Sequence, residues 1–273
     1  MNGIGLEALF RRDRAIVATA LVAIVALAWI YVLRLAAGMD MGGMDMNGFR
    51  MISAGFEMVM TPAAAPWSAT EFALTFAMWT VMMIGMMTPS AAPMILIYAR
   101  AGSMASSAGR PLAATGWFVA AYLMVWAGFA LTATAAQWAL DRLALLDPTM
   151  ASASDLLGGA LLVVAGLYQW TPLKHACLSN CRSPLQFIER HGGFRGSVAG
   201  AVRLGGEHGA YCVGCCWVLM ALLFVGGVMN IAWIGGIAIL ILLEKTVPVG
   251  RLISRIFGVM LAVGGTWLLF GVY

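Results

Sequence analysis

Residues Phe72-Ala-Leu-Thr-Phe-Ala-Met-Trp-Thr-Val-Met-Met-Ile-Gly-Met-Met-Thr-Pro-Ser-Ala-Ala-Pro-Met-Ile-Leu-Ile-Tyr98 pass without a single charged side chain. As α-helix, at ~1.5 Å per residue, this stretch is about 40 Å long and exceeds the ~30 Å hydrocarbon core of a bilayer. Lipid offers no hydrogen bonds to the backbone, so an apolar run of this length must satisfy its N–H and C=O groups internally, which a helix does. Pro89 and Pro93 remove two backbone donors and are expected to kink the helix. Such a kink is tolerated where a segment lies against protein or lines a cavity.

The same pattern recurs on both sides of this run. Apolar stretches cover Ala15 to Ala37, Leu112 to Leu140, Asp155 to Trp170, Ala210 to Val228, Ile231 to Leu243 and Leu252 to Tyr273. The sixth of the seven is short and is expected to continue through Val249. Ala15 to Ala37 follows Arg11, Arg12 and Arg14 as a signal peptide would, but it is longer than the ~7–15 residues of such an apolar region and reads as a retained anchor. Across 273 residues, 62% are hydrophobic and 10% charged. Soluble domains carry roughly 25% charged residues, so a water-facing surface is excluded. Short alternating segments of the barrel type are absent. The fold class is all-α, a polytopic transmembrane bundle of about seven helices.

Sixteen Lys and Arg residues set the orientation. With the N-terminus inside, Arg11, Arg12, Arg14, Arg100, Arg110, Lys174, Arg182, Arg190, Arg195, Arg203, Lys245, Arg251 and Arg255 are cytoplasmic. Only Arg34, Arg50 and Arg142 fall outside. This bias predicts N-terminus in and C-terminus out. The basic residues are scattered between apolar runs, so the net charge of +4 implies no nucleic-acid partner. Two parts are expected: residues 1–69, an anchor with an outer loop, and residues 70–273, a six-helix membrane domain with a Cys- and His-rich cytoplasmic loop.

All five cysteines and all three histidines fall between His175 and Cys216. In a reducing cytoplasm, thiolate chemistry is the better reading than structural disulfides. His208, Cys212 and Cys216 are spaced by four, and Cys215 is three from Cys212, so a helix reaching back to His208 would carry them on one face. The preceding loop adds His175, Cys177 and Cys181. Thiolate, thioether and imidazole together suit Cu(I), and Cys with His also suits zinc. A lone Cys in a membrane helix is usually a small packing residue; five within this segment, with His interleaved, point to metal binding. His191 reads as a solvated loop residue.

Methionine is patterned as well. Met78, Met82 and Met86 repeat every four residues, as do Met83 and Met87, and Met94 follows. Such a stripe is ordinarily core packing, but thioethers also select soft ions. Met39, Met41, Met44 and Met46 lie just past the first run among Gly and Asp, where little core can form, and suit capture of Cu(I) or Ag(I). Outer methionines, a methionine row within, and inner thiols form one polarised series. Glu244 and Lys245 interrupt an aliphatic run, a costly depth for charge that calls for a partner, a functional role or an interface position. No phosphate loop, nucleophile elbow or dinucleotide fingerprint is present.

Three blocks carry a resemblance: Met78 to Met94; Leu167-Tyr-Gln-Trp-Thr-Pro-Leu-Lys-His-Ala-Cys-Leu-Ser-Asn-Cys-Arg-Ser-Pro-Leu185; and Gly209-Ala-Tyr-Cys-Val-Gly-Cys-Cys-Trp-Val-Leu-Met220, followed by Glu244, Lys245 and Pro248. Over roughly residues 70 to 271 the chain resembles a bacterial family described as predicted metal-binding integral membrane proteins, a domain of unknown function. The resemblance implies a multi-pass protein of the bacterial inner membrane with a metal role, and no established reaction.

The reading that unites these features is a protein of the lipid bilayer that binds and moves, or delivers, a soft metal ion, Cu(I) before zinc, in exchange with a donor or acceptor protein. An enzymatic role is not indicated. The alternatives are a membrane thiol–disulfide oxidoreductase using Cys212 with Cys215 and Cys177 with Cys181, and a non-catalytic assembly subunit.

Overall fold

A computed structural model describes residues 3–38, 49–55, 57–105, 111–148, 150–194 and 197–271. Met39, Met41, Met44 and Met46 lie outside the described residues. The chain begins with helix α1 (Gly3–Gly38), followed by a two-stranded hairpin, β1 (Phe49–Ala54) and β2 (Glu57–Pro62). Helices α2 (Ala69–Ala105) and α3 (Pro111–Arg142) come next, then α4 (Asp155–Tyr168), α5 (Pro172–Arg182) and α6 (Pro184–Arg190). The C-terminal part holds α7 (Val198–Ala221), a single turn α8 (Leu223–Gly226), α9 (Ile231–Thr246) and α10 (Gly250–Phe270).

Among the described residues, five helices are long and apolar enough to cross a membrane: Arg14–Gly38, Ala69–Gly102, Leu112–Arg142, Val198–Gly226 and Gly250–Phe270. The about seven expected crossings are therefore not all matched. The fourth run breaks. Helix α4 stops after 14 residues, Thr171 caps the next helix by accepting from the Lys174 N–H, and Pro172 starts it. The axes of α4 and α5 differ by 65°, so together they form at most one broken span. Helix α9 has only 16 residues, about 24 Å, because Val247 leaves helical geometry just before Pro248.

The fifth run also needs correction. The apolar stretch was expected from Ala210, yet α7 starts at Val198, where the Ser197 hydroxyl accepts from the Gly200 N–H. Arg203, Glu207 and His208 ride within the helix, so hydropathy alone misplaces its start. What reads as a cytoplasmic loop is mostly α5, α6 and the first turns of α7.

The exterior is rich in large apolar side chains and the interior holds several polar ones. Large apolar side chains such as Trp267 (74% exposed), Phe270, Leu156 and Met124 face outward, while Lys174, Glu244, Lys245, His208, Gln137 and Gln169 are buried. Such apolar exteriors match lipid as the surrounding solvent. Small residues bring the helices together. A Cβ on Gly209 of α7 would lie 2.9 Å from the Val125 Cβ of α3, and one on Gly166 of α4 would lie 2.8 Å from the Ala262 nitrogen of α10. Helix α2 runs unbroken through both prolines and packs between α1 and α3.

At one end of the bundle the hairpin is tied to the helices. The buried Arg50 donates to Glu71 of α2 and Asp141 of α3, each at 3.0 Å, and the Trp67 indole also donates to Asp141. At that end the α3–α4 loop meets the end of α8, the Ser152 N–H donating to the Phe224 carbonyl at 2.7 Å. At the opposite end, Arg182 of α5 donates to the carbonyls of Val247 and Pro248 between α9 and α10. The hairpin itself left no signal in the sequence strong enough to read.

Candidate metal centre

Cys212 sits at the midpoint of the 29-residue apolar span Val198–Gly226. The thiols therefore stand deep in the bundle, not at a helix end. Cys212, Cys215 and Cys216 are all buried on the inward face of α7 with His208 and Met220. Two of them are oriented by the helix backbone: the Cys215 and Cys216 thiols donate to the Cys212 carbonyl at 3.1 and 2.8 Å.

Helix α5 brings the other cysteines to this face. Cys181 is buried on α5 close to Cys212 and Cys215 of α7, and Cys216 is buried near both. Cys177 packs on the bare Cα of Gly214, whose added Cβ would lie 2.8 Å from its Sγ. The Tyr168 hydroxyl donates to the Gly214 carbonyl and pins α4 to the same turn of α7. Helix α2 contributes Met87, whose Sδ lies 4.0 Å from Cys216 Sγ. Its backbone takes part too, because the hydroxyls of Ser90 and Tyr122 donate to the Met87 carbonyl at 2.9 and 3.1 Å.

Two polar groups complete the cluster. The Tyr122 hydroxyl of α3 lies 3.2 Å from Cys212 Sγ. From α9, the Lys245 ammonium donates to Cys212 Sγ at 2.8 Å and to the Ser90 hydroxyl at 3.1 Å. Glu244, one residue earlier, points elsewhere. It pairs with the fully buried Lys174 at 2.8 Å and accepts from Ser254 at 2.6 Å, while Lys174 also donates to Gln169. This second network joins the α4–α5 bend to α9 and α10, and so holds both Cys181 and Lys245 in place.

Not every expected ligand joins the thiols. His208 lies one turn from Cys212, buried between the rings of Phe118, Tyr122 and Phe187, and its Nδ1 has no partner among the described residues. His175 stands apart on α5, with Arg255, Arg251 and Lys174 as its charged neighbours. Met78, Met82, Met83, Met86 and Met94 are buried with Met87 in one packed core. His191 caps α6 and lies 3.6 Å from Glu207.

Among the described residues, no three His, Cys, Asp or Glu side chains converge in a geometry ready to hold a metal ion. A structural zinc site needs four ligands in a tetrahedron, and no such arrangement stands assembled here. The donors that lie together are thiols of α5 and α7, with the Met87 thioether beside Cys216. That chemistry suits a soft ion satisfied by two or three sulfurs.

The model of a family described as copper chaperone, PpoB2, matches residues 76–268, well over half of the chain. The chain belongs to this family. No curated protein and no solved structure matches it. The matched region runs from the start of the methionine row into α10, so it contains every thiol and both buried lysines. The expectation of a metal-related family holds, and the family's description favours copper.

Three members of the cluster were not singled out as site residues: Tyr122, Ser90 and Lys245. Tyr122 is one of several aromatic residues in a long apolar run, and Ser90 is a small residue between two prolines. Lys245 carried the one usable signal, a charge after an aliphatic run, but its partner is 33 residues away in sequence.

Proposed function

We propose that this member of the copper chaperone family is a multi-pass protein of the bacterial inner membrane, N-terminus in and C-terminus out, that binds Cu(I) as cargo and moves or delivers it. Met39, Met41, Met44 and Met46 capture the ion outside. Met78, Met82, Met83, Met86, Met87 and Met94 mark its route along α2. Cys181, Cys212, Cys215 and Cys216, with Cys177 behind them and His208 one turn away, hold it, and His175 belongs to its release. The observation that carries this reading is the gathering of five buried thiols where α5 packs on α7, Cys177 against Gly214, with Met87 of α2 4.0 Å from Cys216. Soft donors without carboxylates select soft ions over Mg²⁺ or Ca²⁺. The apolar exterior and five span-length helices support the bilayer setting.

The test is metal content. Detergent-purified protein, loaded with Cu(I) under anaerobic reducing conditions, is expected to retain stoichiometric copper by elemental mass spectrometry. A Cys212→Ser, Cys216→Ser variant that elutes as folded protein should lose it. Wild-type protein that retains no copper after loading would overturn the reading.

A further inference from the structure

Lys245 is the one charged side chain seen to touch the sulfur cluster among the described residues. Its Nζ lies 2.8 Å from Cys212 Sγ and 3.1 Å from Ser90 Oγ, and the residue is only 6% exposed. The adjacent carboxylate, Glu244, is taken up by Lys174 and Ser254. Among the described residues no carboxylate pairs with Lys245. A buried ammonium is costly unless a negative group opposes it, and here the groups available to do so are sulfurs. Lys245 therefore sets one fixed positive charge beside the thiols.

We propose that Lys245 is a specificity-determining residue whose ammonium makes the thiol cluster prefer a monovalent soft cation to a divalent one. The proposal rests on the reading of the cluster as a metal site. Softness alone does not separate Cu(I) from Zn(II), since both take thiolate. Charge does. Repulsion between the ammonium and the ion scales with the ion's charge, so a dication is repelled twice as strongly at the same distance. Two thiolates around a monovalent ion sum to one negative charge, which the ammonium cancels. The same pair around a divalent ion sums to zero and leaves the ammonium unopposed in the interior. A third thiolate would restore the balance; Cys181, Cys212, Cys215 and Cys216 lie close together, but among the described residues no three of them stand in a geometry ready to hold one ion. Cys212 meets the ammonium directly, so the effect acts at contact range and is not screened by solvent.

The experiment is a competition, at one fixed pH, on the full chain in detergent. The affinities for Cu(I) and for Zn(II) are each measured against a chromophoric chelator, and their ratio is compared between variants. One extra charge ~4 Å from the ammonium at an effective dielectric of ~20 sets an upper limit of roughly a thousandfold. Adjustment of the sulfurs reduces this, so Lys245→Gln should move the ratio toward Zn(II) by at least about tenfold. Lys245→Arg, which keeps the charge, should stay within about threefold of wild type. Ser90→Asp leaves Lys245 in place and cancels its charge from the other side. It should move the ratio in the same direction, and it decides the matter if Lys245→Gln elutes as aggregate. A ratio unchanged in a folded Lys245→Gln or Ser90→Asp protein, or moved as far by Lys245→Arg, would overturn the proposal. Wild-type protein binding neither ion would instead remove the metal reading on which it rests.

Discussion

Breaking the Lys174–Glu244 pair should cost this protein a large share of its stability. The Lys174 ammonium meets both carboxylate oxygens, at 3.0 and 2.8 Å, and the side chains are 0% and 2% exposed. Glu244→Gln keeps the shape but leaves an ammonium buried without its counter-charge. Removing one partner of such a pair costs about 3–5 kcal/mol. At roughly 2–4 °C per kcal/mol for a chain of this size, the unfolding midpoint should fall by about 6–20 °C. Lys174→Met should do comparable damage, because it strands the carboxylate. The double variant Lys174→Met, Glu244→Leu should regain most of the loss, since replacing both charges by apolar groups of similar volume is often neutral or better. The assay is thermal unfolding in detergent, followed by tryptophan fluorescence. A midpoint for Glu244→Gln within about 3 °C of wild type, or a double variant as low as the sum of the singles, would refute the account of α5 held by a buried pair.

Three further outcomes follow from the contacts. Tyr122→Phe removes the hydroxyl that reaches both the Met87 carbonyl and Cys212; it should cost about 1–2 kcal/mol and lower Cu(I) affinity, read by chelator competition. Gly205→Val drives a side chain into the Phe118 backbone where α3 and α7 meet; it should cost about 3 kcal/mol or more and show as loss of the monodisperse peak in size-exclusion chromatography. Arg50→Met strands Glu71 and Asp141, and because Asp141 keeps some solvent its cost should be about 2–3 kcal/mol. Its readout is faster proteolytic cleavage within residues 49–62, with copper binding unaffected.

The helical class and the thiol spacing were legible because both are local. An uncharged run longer than a bilayer is thick admits little besides a helix, and cysteines three and four apart on a helix must share a face. Hydropathy failed where polar residues sit inside a span. Arg203, Glu207 and His208 hid the first turns of α7, and with them the depth of Cys212 in the bundle. It also counted α4 and α9 as full crossings, although capping at Thr171 and the break at Val247 shorten both.

The sequence by itself determined that the thiols of α7 lie on one helical face, that methionines repeat along α2, and that an ammonium and a carboxylate adjoin at Glu244 and Lys245. Only the tertiary structure decided which groups meet. Adjacent residues point in different directions on a helix, so Glu244 turns to Lys174 and Lys245 to Cys212. The bend after α4 sends Cys181 back into the bundle, and a bare Gly214 lets α5 approach closely enough for Cys177 to fit. Such contacts join residues 30 or more positions apart. They depend on how helices cross, and no spacing within one helix encodes that.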